Sequence, residues 1–289
     1  MTKTPPGFTR TLLSIAVPVT LQNLLASSFT LVDTMMIGRL GDTPLAAVGM
    51  AGKWTWFLTI VFFGFSSGAS VFISQFYGAG DDAGMRRTYG LMTVGTQAAS
   101  LLFMLAALLF PEGIVRLFSP DEQVVALGSS YLRIIAISYP FLALYNGGAA
   151  LFRSMGNSKI SMQISFLMNV INIVGNAVCI FGFKMGVDGV AWPSVLSRVV
   201  AAALILRKCY QKGNAITVPK TTRLDAKMTK RILGIGIPSA FENSLFEAGR
   251  ILVVSMISTF GTVQIAANAV ANNLDGMGVI PGKAISLAM

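Results

Sequence analysis

Long apolar runs separated by short charged loops are the main pattern of this chain. Between Lys53 and Asp81, 27 consecutive residues carry no charge, and the run from Arg10 to Arg39 contains one charged side chain, Asp33. A helix needs roughly 20 apolar residues to cross about 30 Å of hydrocarbon. These runs therefore predict membrane-spanning helices, because the strands of a membrane barrel would alternate apolar and polar residues over about ten positions.

Eight segments fit this pattern and predict an all-α polytopic membrane protein. Their approximate bounds are 12–37, 54–80, 88–111, 124–147, 160–183, 189–206, 232–258 and 265–289. The last segment is still apolar at Met289, so we expect the sequence to be a piece of a longer protein. A complete eight-helix protein is the alternative.

The basic side chains are distributed unevenly over the predicted loops. The net charge is +10, with 22 Lys and Arg residues. If the N-terminus lies in the cytoplasm, fourteen of these residues fall on the cytoplasmic side and four outside. This bias is typical of the short loops of membrane proteins. The charge therefore predicts a cytoplasmic N-terminus, and nucleic-acid binding is not needed to explain it.

The residue inventory excludes several kinds of chemistry. The sequence contains no histidine, which excludes histidine-based catalysis and histidine metal ligation. Its two cysteines, Cys179 and Cys209, do not indicate a disulfide framework. GVIPGK at 278–283 has the wrong glycine spacing for a phosphate-binding loop, and Ala284 stands where Ser or Thr is required. We therefore expect no enzymatic activity, no nucleotide and no cofactor.

An internal repeat is found when the sequence is shifted by 220 residues. TRTLLSIAVPVTLQNLL at 9–25 aligns with TKRILGIGIPSAFENSL at 229–245, and eleven of the 42 ungapped positions from Thr9 to Met50 are identical. Six predicted helices separate the two starts, so both copies enter the membrane in the same direction. Parallel repeats of this kind are a known transporter architecture.

The repeat predicts two parallel six-helix lobes in the full protein. The chain then divides into an N-terminal six-helix lobe (1–210), a basic cytoplasmic linker (211–228) and the first two helices of a second lobe (229–289), the second of them incomplete. In the second segment, GFSSG at 64–68 has the GxxxG spacing. That spacing is consistent with close helix packing, although the signal is weak by itself.

Asp33 is the first candidate functional residue. A carboxylate inside a membrane span is costly unless it is paired, protonated or open to water, so such residues usually serve function. The alternative is that Asp33, six residues before Arg39, lies near enough to the outer helix end to reach water. Gln22 lies eleven residues earlier and so on the same helix face. Pro18 favours a kink, and kinked helices often line cavities.

The fifth segment carries a second polar stripe, formed by Asn169, Asn172 and Asn176 at spacings of three and four residues. Amide oxygens at this spacing can coordinate a hard cation or hydrogen-bond a carboxylate on a neighbouring helix. A polar link between membrane helices explains the stripe equally well. Ser194, in the turn-rich GVAWPS start of the sixth segment, is a further candidate oxygen ligand.

The seventh segment contains acids whose role is harder to assign. Glu242 has no obvious local partner and is a candidate cavity residue, while Glu247 is expected to neutralise Arg250 three residues on. Neither acid aligns with the carboxylate of the first segment. Pro238 aligns with Pro18 in the repeat and predicts a second kinked helix.

Five motifs in order resemble the multidrug and toxic compound extrusion (MATE) transporters over the whole chain. They are IAVPVTLQNLLASSFTLVDTMMIGRLG in the first segment, GASVFISQFYGAGD closing the second, LFRSMGNSK before the fifth, GVDGVAW opening the sixth and GIPSAFENSLFEAGRILV in the seventh. The resemblance implies twelve helices in two six-helix lobes, located in the plasma membrane of a bacterium. It also implies the export of organic cations or amphipathic compounds in exchange for Na⁺ or H⁺.

The resemblance further implies roles for individual residues. Asp33 matches the first-helix carboxylate that the family uses for ion coupling. Some members carry a second carboxylate where Asn176 aligns, with Asn172 one turn earlier, and this chain departs from them. Na⁺ coordination by Asp33 and amide oxygens, or protonation of Asp33, are both open. The expected mechanism is alternating access, in which ion binding at Asp33 relaxes or bends the first helix.

A flippase for lipids or lipid-linked sugars is the alternative function. Its cavity would need bases to hold phosphate, and the intramembrane bases before Lys283 are Arg133, Arg198 and Arg250. Arg133 and Arg198 are instead expected to pair with acids or to extend toward the head groups. An intramembrane enzyme is disfavoured because the sequence contains no recognisable pair of nucleophile and base and no metal cluster.

Overall fold

The computed structural model describes residues 8–211, 225–258, 278–279 and 282. Within these ranges the chain is helical and contains no strand, as the sequence predicts. The helices are α1 (Phe8–Gly38), α2 (Asp42–Gly78), α3 (Asp82–Leu109), α4 (Pro111–Arg116), α5 (Glu122–Ala136), α6 (Tyr139–Ser154), α7 (Ser158–Ala177), which continues as a π-helical turn (Val178–Gly182), α8 (Asp188–Cys209) and α9 (Ala226–Ser258). Apart from residues 278–279 and 282, the eighth predicted segment lies outside the described residues.

The apolar helices have the length and hydropathy of membrane spans. Four helices in the described ranges meet both criteria: α2, α3, α7 with its π-helical turn, and α8. The pair α5 and α6 is a fifth candidate if it forms one span. α1 and α9, at 31 and 33 residues, also have the length to cross a bilayer. The chain is therefore a multi-pass helical membrane protein.

The fourth predicted segment, 124–147, is not one continuous helix. It is divided between α5 and α6, which are bent by 55° where they meet. Pro140, at the start of α6, explains the break because it has no backbone N–H to donate to the preceding turn. At the break itself, the Ser138 hydroxyl donates to the carbonyl oxygen of Ile135 at 2.6 Å. The prediction of a single helix is wrong because it overlooked this proline.

The start of the sixth segment also differs from the prediction. α8 begins at Asp188, so the GVAWPS stretch is helical rather than a turn, and Pro193 is accommodated within the helix. As the sixth residue of α8, Pro193 removes one backbone hydrogen bond of the helix, the one to the carbonyl oxygen of residue 189. The hydroxyl of Ser130 donates to Asp188 Oδ1 at 2.7 Å and joins α5 to the start of α8. Ser194 therefore has a fixed position on a regular helix.

Two clusters of buried side chains hold the helices together, one toward each end of α2. The first includes Leu58 and Phe62 of α2 with Leu132 and Ile135 of α5, and the second includes Ile73 of α2, Tyr89 of α3, Leu151 of α6 and Ile205 of α8. In a bilayer such packing acts mainly through van der Waals contact, because lipid tails are as apolar as the core. α1 packs along α7, and α7 packs along α8. α7 thus contacts both the first and the last helix of the predicted N-terminal lobe.

Glycines allow α9 to pack closely against α2. A Cβ atom on Gly236 would overlap the carbonyl oxygen of Gly64, and a Cβ atom on Gly68 would overlap the carbonyl oxygen of Ile232. The backbones therefore touch, a geometry in which Cα–H groups can contact carbonyl oxygens across the helices. The prediction of close packing at GFSSG is confirmed, and its partner is the segment of α9 around Gly236.

The start of α9 is fixed by Asp225. Its carboxylate accepts a hydrogen bond from the backbone N–H of Lys227 at 3.0 Å and forms an ion pair with Arg87 of α3 at 2.7 Å. α9 begins at Ala226, so the last residues of the predicted linker belong to the helix. The central part of the linker, 212–224, lies outside the described residues. The division of the chain into lobes stays a prediction.

Replacing Gly236 with Ala is expected to destabilise the protein, because the added methyl group meets backbone atoms of α2 that cannot rotate away. Overpacking of this kind costs typically about 1–3 kcal/mol. Thermal unfolding of the purified protein in detergent would measure the loss. Gly234→Ala is the matched control on the same helix, since no atom lies within 4 Å of its added Cβ. Equal unfolding temperatures for the two variants would contradict the close crossing.

Candidate functional site

Asp33 lies near the C-terminal end of α1 and is partly buried against α7. The side-chain amide of Asn176 donates a hydrogen bond to Asp33 Oδ1, across 143 positions of sequence. One turn earlier on α1, the ring of Phe29 packs against Phe166 of α7, with ring centroids 5.9 Å apart. This aromatic contact helps to align the two helices. The carboxylate thus has a polar partner within the membrane span, as its burial requires.

The hydrogen bonds continue from Asn176 along α7 and across to α8. The Asn176 amide nitrogen lies 3.4 Å from Asn172 Oδ1, the i, i+4 neighbour on the same face. Asn172 Nδ2 donates to Ser194 Oγ at 2.8 Å, and this hydroxyl donates to the carbonyl oxygen of Val190 at 3.1 Å. We call Asp33, Asn176, Asn172 and Ser194 the carboxylate–amide network. It links α1, α7 and α8 through polar side chains.

One atom of this network lacks a partner. Asn176 is 0% exposed, and its Oδ1 has no hydrogen-bond donor among the described residues. An unsatisfied buried acceptor costs about 1–3 kcal/mol. This oxygen belongs to the side chain whose amide nitrogen donates to Asp33. A cation bound beside this oxygen would therefore have carboxylate and amide oxygens as ligands. Hard cations prefer this donor set.

A second cluster of polar side chains lies beside the carboxylate–amide network, at the junction of α5 and α6 and on α8. Arg198 of α8 donates from Nη1 to the Ser138 hydroxyl at 2.7 Å, at the break between α5 and α6. Tyr139 at the same break shares a hydrogen bond of 3.0 Å with the hydroxyl of Thr55 on α2.

Sequence reasoning missed Ser138 and Tyr139, since no spacing rule connects them with α8 or α2. The proline after Tyr139 was the available signal, because it marks the break that presents Ser138 to α8. Of the two expectations for Arg133 and Arg198, an ion pair with an acid is not found within the described ranges, and extension toward the head groups stays a prediction. Both ion pairs found there involve other basic residues.

Three predicted polar residues lie outside the carboxylate–amide network. Asn169 donates to the carbonyl oxygen of Ser165 on its own helix at 2.8 Å. Gln22 is partly buried on α1 and makes no hydrogen bond to the network in the part of the chain that the structure describes. Glu242 is exposed on α9, which packs on α2 rather than on α1 or α7. A role for them in the transport cavity stays a prediction.

The two predicted helix kinks also stay predictions. Pro18 is buried inside α1 and Pro238 is exposed inside α9, and each helix continues through its proline. The side chains of Glu247 and Arg250 and the whole of Lys283 lie outside the described residues.

A bundle of apolar helices around a partly buried carboxylate–amide network defines an integral membrane protein with a polar site in its interior. The family model MatE matches residues 18–178 of the 289. The match covers more than half of the chain and includes Asp33, Asn172 and Asn176. The chain therefore belongs to the MATE family of membrane transporters, which confirms the resemblance seen in its motifs.

Relatives match nearly the whole chain. The probable multidrug resistance protein YoeA of Bacillus subtilis is 28% identical over 99% of this chain and 64% of its own length. The probable multidrug resistance protein NorM of Thermotoga maritima is 25% identical over 98% of this chain and 62% of its own length. The multidrug export protein MepA of Staphylococcus aureus is 26% identical over 92% of this chain and 59% of its own length. This chain thus spans less than two thirds of the length of these relatives.

Solved structures share the fold. A MOP superfamily transporter from Pyrococcus furiosus superposes with a TM-score of 0.88 at 20% identity, over 99% of this chain and 66% of the other. A MATE crystal structure described as the straight conformation gives a TM-score of 0.89 at 20% identity, over 96% of this chain and 63% of the other. At this identity the likeness is one of fold, and it confirms the all-α class.

Asn172→Ala is expected to destabilise the protein more than Asn169→Ala, because Asn172 bonds to another helix and Asn169 bonds to its own. A hydrogen bond between helices contributes typically about 0.5–1.5 kcal/mol. The unfolding temperatures of the two purified variants would show the difference. If Asn169→Ala lost as much stability as Asn172→Ala, the hydrogen bond between α7 and α8 would contribute no more to stability than one within a helix.

Proposed function

We propose that the protein acts as a secondary active multidrug exporter, which expels organic cations or amphipathic compounds in exchange for Na⁺ or H⁺. The observation that carries this proposal is the partly buried Asp33 held by the Asn176 amide in a membrane-spanning helix pair. Relatives named as multidrug resistance or multidrug export proteins support the choice of substrates. None of these names supports a flippase, and family membership is that of a transporter rather than an enzyme.

Asp33 is the residue at which the coupling cation binds. Na⁺ would have the Asp33 carboxylate and the amide oxygens of Asn176 and Asn172 as ligands, and the unpartnered Asn176 Oδ1 fits this purpose. A proton would bind to the carboxylate itself. Either ion neutralises Asp33, so the mechanism rests on the loss of its negative charge. No cofactor besides the coupling ion is needed.

Loss of that charge weakens the link between α1 and α7. A hydrogen bond from an amide to a carboxylate is charge-assisted and about twice as strong as one between neutral groups. When a cation neutralises Asp33, the Asn176 amide holds α1 less tightly, and α1 gains freedom to bend, for which Pro18 is the natural position. Movement of α1 changes the shape of the drug cavity that faces it. Because the ion site and the drug cavity are linked in this way, binding of the cation lowers the affinity for drug.

Two lobes rocking about a central cavity would convert this local change into alternating access. The Gly64–Gly236 crossing joins α2 to α9, the first helix of the proposed second lobe. The N-terminus is assigned to the cytoplasm because most basic loop residues then lie inside, as they do in membrane proteins generally. The plasma membrane of a bacterium is the proposed location.

Asp33→Asn is expected to abolish gradient-driven efflux of a cationic dye, because the neutral amide cannot exchange a cation. Efflux would be measured from cells that express the full protein, with proton and sodium gradients imposed in turn. The gradient that drives the wild type identifies the coupling ion. Asp42→Asn, an exposed acid at the start of α2, is the matched control and should keep wild-type efflux. Undiminished gradient-driven efflux by Asp33→Asn would exclude Asp33 as the coupling site.

Asn176→Ala is expected to raise the concentration of coupling cation at half-maximal efflux by about tenfold, since it removes an oxygen ligand and the hydrogen bond to Asp33. Asn169→Ala serves as the comparison because it deletes the same amide from the same helix without touching the network. An equal response of the two variants would show that Asn176 takes no part in ion binding.

A further inference from the structure

The ion pair between Arg87 and Asp225 is a contact to which the proposed mechanism gives no role so far. Arg87 lies in the second turn of α3, and Asp225 directly precedes α9. Arg87 Nη2 lies 2.7 Å from Asp225 Oδ2, while Asp225 Oδ1 accepts a hydrogen bond from the backbone N–H of Lys227 at 3.0 Å. Both carboxylate oxygens are therefore engaged, one with the predicted N-terminal lobe and one with the start of α9.

The face of α9 that follows this ion pair packs on α2 and α3. Met228 and Ile232 are 9% and 2% exposed, and they belong to the second buried cluster together with Met85 and Tyr89 of α3. The close crossing of α2 and α9 at their glycines continues the contact along α9. The ion pair thus lies at one end of a continuous contact between helices.

This contact is made by the first half of α9. Positions 228, 232, 236 and 240 are four residues apart, so they share one face of the helix. A Cβ atom on Gly64 would lie 3.2 Å from the Cβ atom of Ala240, the last of these positions. After Ala240, no side chain of α9 that the structure describes is buried, and Leu245 and Phe246 are 57% and 64% exposed. α9 is therefore held against α2 and α3 only at the end nearest the predicted linker.

In the proposed membrane orientation, the contact lies on the cytoplasmic side. α1 starts from the cytoplasm, so α2 runs back toward the cytoplasm and ends at Gly78, where α3 soon begins. Gly64 and Gly68 lie in the second half of α2, and Arg87 lies near the start of α3. The cytoplasmic halves of α2 and α9 are then closed against each other, while their outer halves are not.

We propose that this contact is the cytoplasmic gate of the transport cycle and that the Arg87–Asp225 ion pair holds it closed. The inference rests on the proposed exporter function and on the predicted division into two lobes. For a drug to enter from the cytoplasm, the start of α9 has to separate from α2 and α3, and the ion pair breaks as it does. Arg87 and Asp225 are positioning residues, since neither belongs to the carboxylate–amide network.

The ion pair is weak enough to break in every cycle. The side chain of Arg87 is 56% exposed and that of Asp225 is 25% exposed. Ion pairs this open to water contribute little to stability and are screened by salt. A cavity of about 370 Å³ beside the pair, lined also by Phe76, Gly84 and Met228, gives both charges access to water once they separate. The pair therefore favours the closed gate by a small factor and does not lock it.

The test measures how fast a cysteine inside the gate reacts with a membrane-impermeant thiol reagent that is added from the cytoplasmic side. The reporter is Ile232→Cys in the full protein, in inverted membrane vesicles, with all other cysteines removed. Arg87→Gln and Asp225→Asn should each raise the labelling rate about threefold over the same reporter with the ion pair intact. Asn caps a helix as well as Asp does, so Asp225→Asn keeps the start of α9.

Further comparisons separate a gate contact from a general loss of structure. Arg87→Lys keeps the charge and should label at the rate of the intact reporter, because one donor atom makes the contact. Lys227→Gln removes an exposed charge beside Asp225 and should change nothing. High salt should raise the rate of the intact reporter and leave that of Arg87→Gln unchanged.

A double variant tests whether the two charges act through each other. Arg87→Gln combined with Asp225→Asn should label no faster than either alone, because both changes remove the same contact. A combined effect equal to the product of the single effects would overturn the proposal. If Ile232→Cys is recovered in poor yield, Ala240→Cys reports on the same face of α9.

The outcomes distinguish this inference from the proposed function. If the wild type exports no dye under either gradient, the proposed function fails and the inference fails with it. If the wild type exports dye but Arg87→Gln and Asp225→Asn leave the labelling rate unchanged, the role of the ion pair alone is overturned.

Discussion

The hydrogen bond between Asn176 and Asp33 is the interaction on which this account depends. A carboxylate in a membrane span is tolerated only with a polar partner or water, and here the partner is an amide on a helix distant in sequence. The same amide face continues through Asn172 to Ser194, so α1, α7 and α8 are connected by polar side chains within an otherwise apolar bundle. Any change in the charge of Asp33 must therefore alter the contact between helices.

In the proposed mechanism, two structural features convert such a local change into larger movement. α1 and α9 are helices that continue through prolines, and α5 and α6 meet at a break rather than in a straight span. The crossing of α2 and α9 is close because Gly64, Gly68 and Gly236 bring backbones into contact. Small residues at a helix crossing let the two backbones approach closely. In the proposed architecture, this crossing is a direct backbone contact between the two lobes.

Much of the fold could be predicted from the sequence, because the length of an uncharged run alone predicts a membrane helix. Asp33 was identifiable as the single charge in its run, and the spacing of Asn172 and Asn176 placed them on one face. The contact between Asp33 and Asn176 could not be derived from periodicity, since periodicity does not say which helices are neighbours. It depends on the packing of α1 against α7, which the family resemblance implied.

Other features could not be recognised in the sequence, for identifiable physical reasons. The break at Ser138 was missed because a single proline interrupts a run whose composition otherwise favours one helix. Without the break, Arg198 had no visible partner. The spacing of Gly64 and Gly68 predicted close packing, but the partner glycine on α9 lies more than 160 positions away and has no local signature.

The most direct measurement is the infrared carboxylate spectrum of the purified protein as the Na⁺ concentration and the pH are changed in turn. If the coupling cation binds at Asp33, it should shift a carboxylate band, this band should be missing in Asp33→Asn, and Asn176→Ala should alter its position. A spectrum whose cation-dependent changes are the same in wild type and in Asp33→Asn would contradict the central claim that the coupling cation binds at Asp33.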